Sequence, residues 1–323
     1  MNKQAENQHT PDGQNTVHST LAAMACRYLV GADGGGTGTR VVLADAAGKE
    51  LGRGSAGPSG LALGRDKAWQ SILQATQQAF AAAGLAMPPL QEIAVGCGLA
   101  GVHNIHWTKE FVALNPGFGA VCAETDAYTT LLGALNGKPG AIIALGTGSV
   151  GEVLLASGQR REVGGWGFPV SDEASGAWLG MRAVNHLQRV LDGRDLANPF
   201  SGAVLAHCGG DKDAVFAWLA QANQTRYAEL APLVIRFAAE VDVARAIMLD
   251  AGAEVAIMAQ ALDPSGDLPI ALCGGLAVAV SVYLPAELAG RIQQPQADSA
   301  AGAMILIQQY LQIGQHGQHR QHQ

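Results

Sequence analysis

The chain has 323 residues, 48% of them hydrophobic and 15% charged, with a formal net charge of −7. That length accommodates two domains and a large core, and the acidic balance argues against a nucleic-acid partner, which demands a basic face. Five scattered cysteines (Cys26, Cys97, Cys122, Cys208, Cys273), with no C-x-x-C pair, suit a reduced, cytoplasmic protein better than a disulfide scaffold or a zinc site.

Residues 1–27 are rich in Gln, Asn, Thr and His, lack an apolar signal core and read as a disordered tail. From Tyr28 to Asp45 an apolar run, the turn Asp33-Gly34-Gly35-Gly36-Thr37-Gly38-Thr39 and a second apolar run predict a hairpin. Glycines there permit backbone N–H groups to converge on an anion. Thr37 adds a hydroxyl, and Asp33 adds a carboxylate that could serve a phosphate-bound Mg²⁺. An ordinary glycine-rich turn is the plain alternative. No Gly-Lys-Ser/Thr follows, so this is not a Walker A loop. A strand rather than a helix follows the glycines, which excludes the Rossmann turn.

A third strand over 49–55 is expected next, then the loop Gly57-Pro58-Ser59-Gly60. Apolar residues at helical spacing predict a helix over 65–83, stopped by Gly84. A strand over 92–97, the small-residue loop Gly98-Leu99-Ala100-Gly101 and a helix near 106–114 follow. A buried strand over 119–123 then delivers Glu124-Thr125-Asp126 to a helix ending at Leu135. Residues 141–163 repeat the opening pattern: strand, Gly146-Thr147-Gly148-Ser149 turn, strand, strand. From Ser175 the chain turns helical, and Leu230, Leu233, Val234, Phe237, Val241, Ala244 and Met248 trace one apolar helix face. The uncharged window Leu268–Ala286 holds two prolines and the Gly274–Gly275 pair, so strand, turn and helix are expected there rather than a bilayer span. A last helix over 298–312 precedes a His-rich tail, 313–323, expected to be disordered. Strands alternating with helices predict an α/β fold in two similar halves.

Several groups could carry chemistry. Asp126, at the carboxyl end of a buried strand, is either a helix cap or a general base. The loop Gly164-Gly165-Trp166-Gly167 through Asp172-Glu173 sets one aromatic ring beside carboxylates, as sugar sites do, although packing and capping explain it equally. Gly274–Gly275 would admit a flat base or a phosphate to the backbone, or simply make a tight turn.

The ordered series Asp33-Gly-Gly-Gly-Thr37, Gly98-Leu-Ala-Gly101, Thr125-Asp126, Gly146-Thr-Gly-Ser149, Gly164-Gly-Trp-Gly167, Asp172-Glu173 and Gly274-Gly275 resembles the BadF/BadG-type ATPase family of the actin-like ATPase/sugar kinase superfamily. Within it the chain is most similar to N-acetylglucosamine and glucosamine kinases. The resemblance implies two actin-like (ribonuclease H-like) domains, 28–136 with a returning helix 297–312, and 137–296, which close over a nucleotide cleft. It implies ATP and Mg²⁺, with Gly34, Gly35, Gly36 and Thr37 as first phosphate loop, Asp33 on the metal side, Thr147, Gly148 and Ser149 as second loop, and Gly274 and Gly275 at adenosine. Asp126 becomes the catalytic base, and Ser59, Gly60, Gly165, Trp166 and Asp172 the sugar contacts. Kinases of this kind often carry Asn after the Pro-Ser of the loop following strand three; here Gly60 stands there. The resemblance also implies a homodimer, with an amino sugar and ATP as small-molecule partners and no membrane or nucleic acid. An iron–sulfur ATPase activator of a 2-hydroxyacyl-CoA dehydratase is a relative of the same family, but the scattered thiols speak against it. A non-catalytic sugar or nucleotide sensor is a further alternative, disfavoured by the retained base and loops.

Overall fold

The computed structural model describes residues 26–320. Its chain falls into two units, one running to Lys138 and resuming at Gln296, the other Pro139–Pro295.

In the first unit, β1 (Tyr28–Gly34), β2 (Thr39–Asp45) and β3 (Glu50–Ala56) form an antiparallel meander. The helix α1 (Arg65–Ala82) leads to β4 (Ile93–Leu99), α2 (Ile105–Ala113), β5 (Ala120–Glu124) and α3 (Asp126–Leu135). The strands align as β3-β2-β1-β4-β5, with β4 and β5 parallel to β1. Side chains alternate across a strand, and here both faces are covered. Val30, Ala32, Val41 and Val95 join one apolar cluster with Trp69, Ile72 and Phe80 of α1. Leu29, Val42 and Ala94 join another on the opposite face. A sheet covered on both faces makes its central strands near-continuous apolar runs, which is how β1 and β4 read in sequence.

The second unit repeats this arrangement. β6 (Gly140–Leu145), β7 (Ser149–Leu154) and β8 (Arg160–Gly164) form the meander. Six helices follow: α4 (Gly176–Leu191), α5 (Pro199–His207), α6 (Lys212–Ala220), α7 (Gln224–Ala228), α8 (Ala231–Phe237) and α9 (Asp242–Leu262). Then come β9 (Ile270–Cys273), α10 (Ala277–Ser281), α11 (Ala286–Ala289) and β10 (Ile292–Gln293). The strand order β10-β9-β6-β7-β8 matches the first sheet element for element. The fold is thus α/β with two five-stranded sheets.

The helix α12 (Ser299–Arg320) returns to the first unit, where Ala300, Met304 and Ile307 complete the second apolar cluster. Gly302 allows the crossing with α3, since a Cβ there would lie 1.8 Å from the Thr129 carbonyl oxygen.

Two expectations need correction. The single apolar face drawn from Leu230 to Met248 belongs to two helices, because the chain breaks between Phe237 and Asp242. Arg245 makes the break affordable by donating to the Ala238 and Ala239 carbonyls at 3.1 and 2.8 Å, satisfying acceptors that the end of a helix leaves open. The last helix also passes its expected end at Gln312 and continues to Arg320. Extending a formed helix costs far less than starting one, so the first part of the expected disordered tail is helical in backbone. Residues 1–25 and 321–323, also expected to be disordered, lie outside the described residues, as do the side chains of His316 and His319. Among the described residues no helix is long and apolar enough to cross a membrane.

Candidate functional site

In the first unit, β1 ends at Gly34 and the chain reverses through a turn closed by the Gly35 N–H on the Gly38 carbonyl, 3.1 Å. Gly36 and Thr37 are exposed at its tip. The turn is seated on the loop after β3: the Ser59 and Gly60 N–H groups both donate to the Gly35 carbonyl, at 3.1 and 3.0 Å. Thr39 Oγ1 donates to the Gly57 carbonyl at 2.6 Å and accepts from the Ser59 hydroxyl at 2.7 Å. Gly34 has no room for a side chain, because a Cβ would fall 1.8 Å from Ser59 Oγ. The Ala100 N–H donates to the Gly34 carbonyl at 2.9 Å and brings the 98–101 loop alongside. Residues 34–37, 59–60 and 98–101 are therefore one cluster. Ser59 and Gly60 are buried within it. The Ser59 hydroxyl, bonded to Thr39 Oγ1, holds the glycine turn in place.

Two carboxylates flank the turn. Asp33 faces Arg40 across the hairpin in register, and both Arg40 bonds land on Asp33 Oδ2, the Nε bond at 3.0 Å. Asp126 opens α3, but the cap is its neighbour: Thr125 Oγ1 accepts the Tyr128 N–H at 3.1 Å. Asp126 is thereby released from the capping role that its position suggested, and its Oδ1 accepts the Ala127 N–H at 3.0 Å. Burial pushes the Asp126 carboxyl above its ordinary value; the Ala127 N–H opposes this, and the negative charge of Asp33 adds to it. The two acids thus feel each other, and His103 acts on Asp126 in the opposite sense.

In the second unit, the Gly146 N–H closes its turn on the Gly148 carbonyl at 2.9 Å. Helix α4 grips that turn from below: the Gly176 N–H donates to the Gly146 carbonyl at 2.8 Å and the Ala177 N–H to the Thr147 carbonyl at 3.1 Å. Ser149 Oγ donates to the Glu173 carbonyl at 2.7 Å. The Ser149 N–H donates to Asp172 Oδ1 at 3.1 Å, and Gln224 Nε2 donates to Asp172 Oδ2 at 2.7 Å. Gly274, at φ +89°, packs on the strand leading into the turn, where a Cβ would lie 2.3 Å from the Leu145 carbonyl oxygen. The second glycine turn, Asp172 and Gly274–Gly275 are so brought together. Trp166 is 86% exposed and lines a cavity of about 260 Å³ with Val170, Glu173, Glu254, Ile257 and Met258.

The donors suit phosphate, and a Mg²⁺ brought in on phosphate asks little of the protein. Among the described residues no group of three His, Cys, Asp or Glu could hold a metal by itself. Mg²⁺ usually keeps several waters and takes one or two carboxylates beside phosphate oxygens. Asp33, with Arg40 only on Oδ2, retains Oδ1 for that purpose.

Arg40, His103 and Gln224 were not among the expected residues. Counting back equally from the hairpin tip pairs position 33 with 40, so Arg40 had a signal. His103 lies two residues beyond the noted 98–101 loop. Gln224 had no signal.

A family model described as the BadF/BadG/BcrA/BcrD ATPase family matches residues 30–306. Over 279 residues the chain is 32% identical to the glucosamine kinase GspK of Vibrio cholerae, covering 86% of this chain and 95% of that one. A solved structure from Chromobacterium violaceum, provisionally described as an N-acetylglucosamine kinase, superposes with a TM-score of 0.85 at 48% identity, over 88% of this chain and 99% of its own. A ROK family glucokinase of Streptomyces griseus, in complex with glucose and AMPPNP, shares the fold at a TM-score of 0.54 and 20% identity, over 87% and 99% of the two chains.

Proposed function

From the premise that the chain belongs to the BadF/BadG/BcrA/BcrD ATPase family, we propose that it is an ATP-dependent hexosamine kinase, transferring the γ-phosphoryl group to the 6-hydroxyl of N-acetylglucosamine or glucosamine. The observation that carries this reading is Asp126: a partly buried carboxylate at a strand's end, freed from capping by Thr125, close enough to feel Asp33 beside the first glycine turn.

Asp126 takes the hydroxyl proton as the sugar oxygen bonds to the γ-phosphorus and the bond to the β–γ bridging oxygen breaks, releasing ADP. Burial raises the Asp126 carboxyl, which makes it a better base than an exposed aspartate. The N–H groups of Gly36, Thr37, Thr147 and Gly148, which do not close the turns, offer donors to the phosphates, and Gly274–Gly275 leaves the backbone open beside adenosine. When bound through the phosphates and Asp33, Mg²⁺ supplies charge neutralisation at the β- and γ-oxygens. The exposed indole of Trp166 gives the sugar ring an apolar face, with Gly165 beside it.

ADP release from the purified protein with Mg·ATP, measured against N-acetylglucosamine, glucosamine, N-acetylmannosamine and glucose, tests the reading. A strong response to an amino sugar is expected. ATP hydrolysis indifferent to every sugar would refute it.

A further inference from the structure

The helices α5 to α8 supply none of the groups assigned above, yet one of their side chains reaches the second phosphate loop. Gln224, the first residue of α7, holds Asp172 Oδ2 at 2.7 Å, while Asp172 Oδ1 holds the Ser149 N–H at 3.1 Å. Asp172 is 3% exposed and sits at φ +74°, a left-handed conformation that a non-glycine residue keeps only when its surroundings fix it. Gly148 packs flat on the pair: a Cβ there would lie 2.9 Å from both Asp172 Oδ1 and Gln224 Nε2. The base of α7 is itself anchored, since the Tyr227 carbonyl abuts Gly180 of α4 and its ring meets Phe168 at 5.2 Å. The amide thus reaches the loop from a fixed platform.

We propose that Gln224 is a positioning residue for nucleotide binding: its amide fixes the Asp172 carboxylate, and through it the Ser149 N–H and the shape of the second phosphate loop. The inference rests on the kinase reading for its place in catalysis, though the loop geometry stands apart from turnover. A buried carboxylate needs its partners, and losing one costs more than the bond is worth when both are present. Burial raises the Asp172 carboxyl, whereas the Ser149 N–H and the Gln224 amide pull it back, and the charged neighbour acting on it is Glu173, which raises it. Without the amide, Asp172 takes a proton at higher pH and becomes a poorer acceptor for Ser149.

The test is the affinity of the full chain for a non-hydrolysable ATP analogue with Mg²⁺, by calorimetry across pH, in wild type, Gln224→Leu, Gln224→Glu and Asn223→Ala. Gln224→Leu is expected to weaken binding about tenfold or more, and its deficit relative to wild type should deepen as pH falls. Gln224→Glu should do the reverse, because its carboxyl repels Asp172 when ionised and donates to it when protonated, so affinity recovers toward wild type at acid pH. Asn223→Ala removes the α7 cap on the Arg226 N–H without touching Asp172, and should leave affinity and pH dependence unchanged. Thermal unfolding of each variant separates loss of fold from loss of loop shape. Wild-type affinity in both Gln224 variants, or the same pH trend in both, would overturn the inference. Sugar-dependent ADP release by wild type is read alongside: its absence would sink the kinase reading while the binding comparison still decides Gln224.

Discussion

Asp126 and Trp166 carry opposite signatures of function. Asp126 is partly withdrawn from water, and this desolvation raises its pKa; a base works only when deprotonated, so the acid limb of kcat/KM should lie above the ordinary carboxylate range near about 4. Asp126→Asn should lower turnover by about 10²-fold or more while leaving nucleotide affinity unchanged, and normal turnover would remove it from the mechanism. Trp166 instead leaves a large ring in solvent. Its removal should hardly move the unfolding temperature, whereas the KM for the sugar should rise about two- to tenfold, the value of an aromatic contact. A folded Trp166→Ala variant with unaltered sugar kinetics would place the sugar elsewhere. Asp126 was legible from its place after a buried strand, but whether it capped the helix was not. Thr125 and Asp126 are both good caps, and only the reach of Thr125 Oγ1 to the Tyr128 N–H decides. Gln224 was illegible because its partner, Asp172, lies 52 residues away.

At the level of elements, the two glycine hairpins were plain in the sequence, because apolar runs and turn residues report strands locally. The break between α8 and α9 was hidden, since it has no glycine or proline and depends on Arg245 reaching back to two carbonyls. The docking of α12 rests on a similar detail. Asp298 caps it through the Ala301 N–H at 2.9 Å and also takes Arg53 Nη1 of β3 at 2.6 Å. Its carboxyl is held below its ordinary value: burial works against this, but the Ala301 N–H and Arg53 outweigh it. The sign follows: this stability is present above the unfolded pKa of about 3.9 and is lost as pH falls through the lower folded value. Asp298→Ala should cost about 1 kcal/mol at neutral pH, seen in denaturant unfolding, and less in acid. Asp298→Asn keeps the cap and gives up only a half-exposed ion pair, so it should cost about 0–1 kcal/mol. Equal losses in both variants would make the ion pair, not the cap, the stabilising feature.

Across the whole molecule, one design occurs twice: five strands in the same order, with a glycine turn joining the first two. The duplication was visible as a repeated strand–turn–strand–strand pattern, whereas the parallel additions β4, β5, β9 and β10 depend on pairing between distant segments. Each unit equips its turn differently. The first flanks it with Asp33 and Asp126, and the second braces it with Asp172 and Gln224. In the proposed reading the acids of the first unit would serve the acceptor and the metal, and the braced turn of the second would serve the phosphoryl donor. The most direct measurement is the identity of the product formed from Mg·ATP and an amino sugar, read by carbon–phosphorus coupling in NMR. The account predicts phosphorus on the oxygen at carbon 6, formed by wild type and not by Asp126→Asn. Inorganic phosphate as the sole phosphorus product, or phosphorylation at carbon 1, would contradict it.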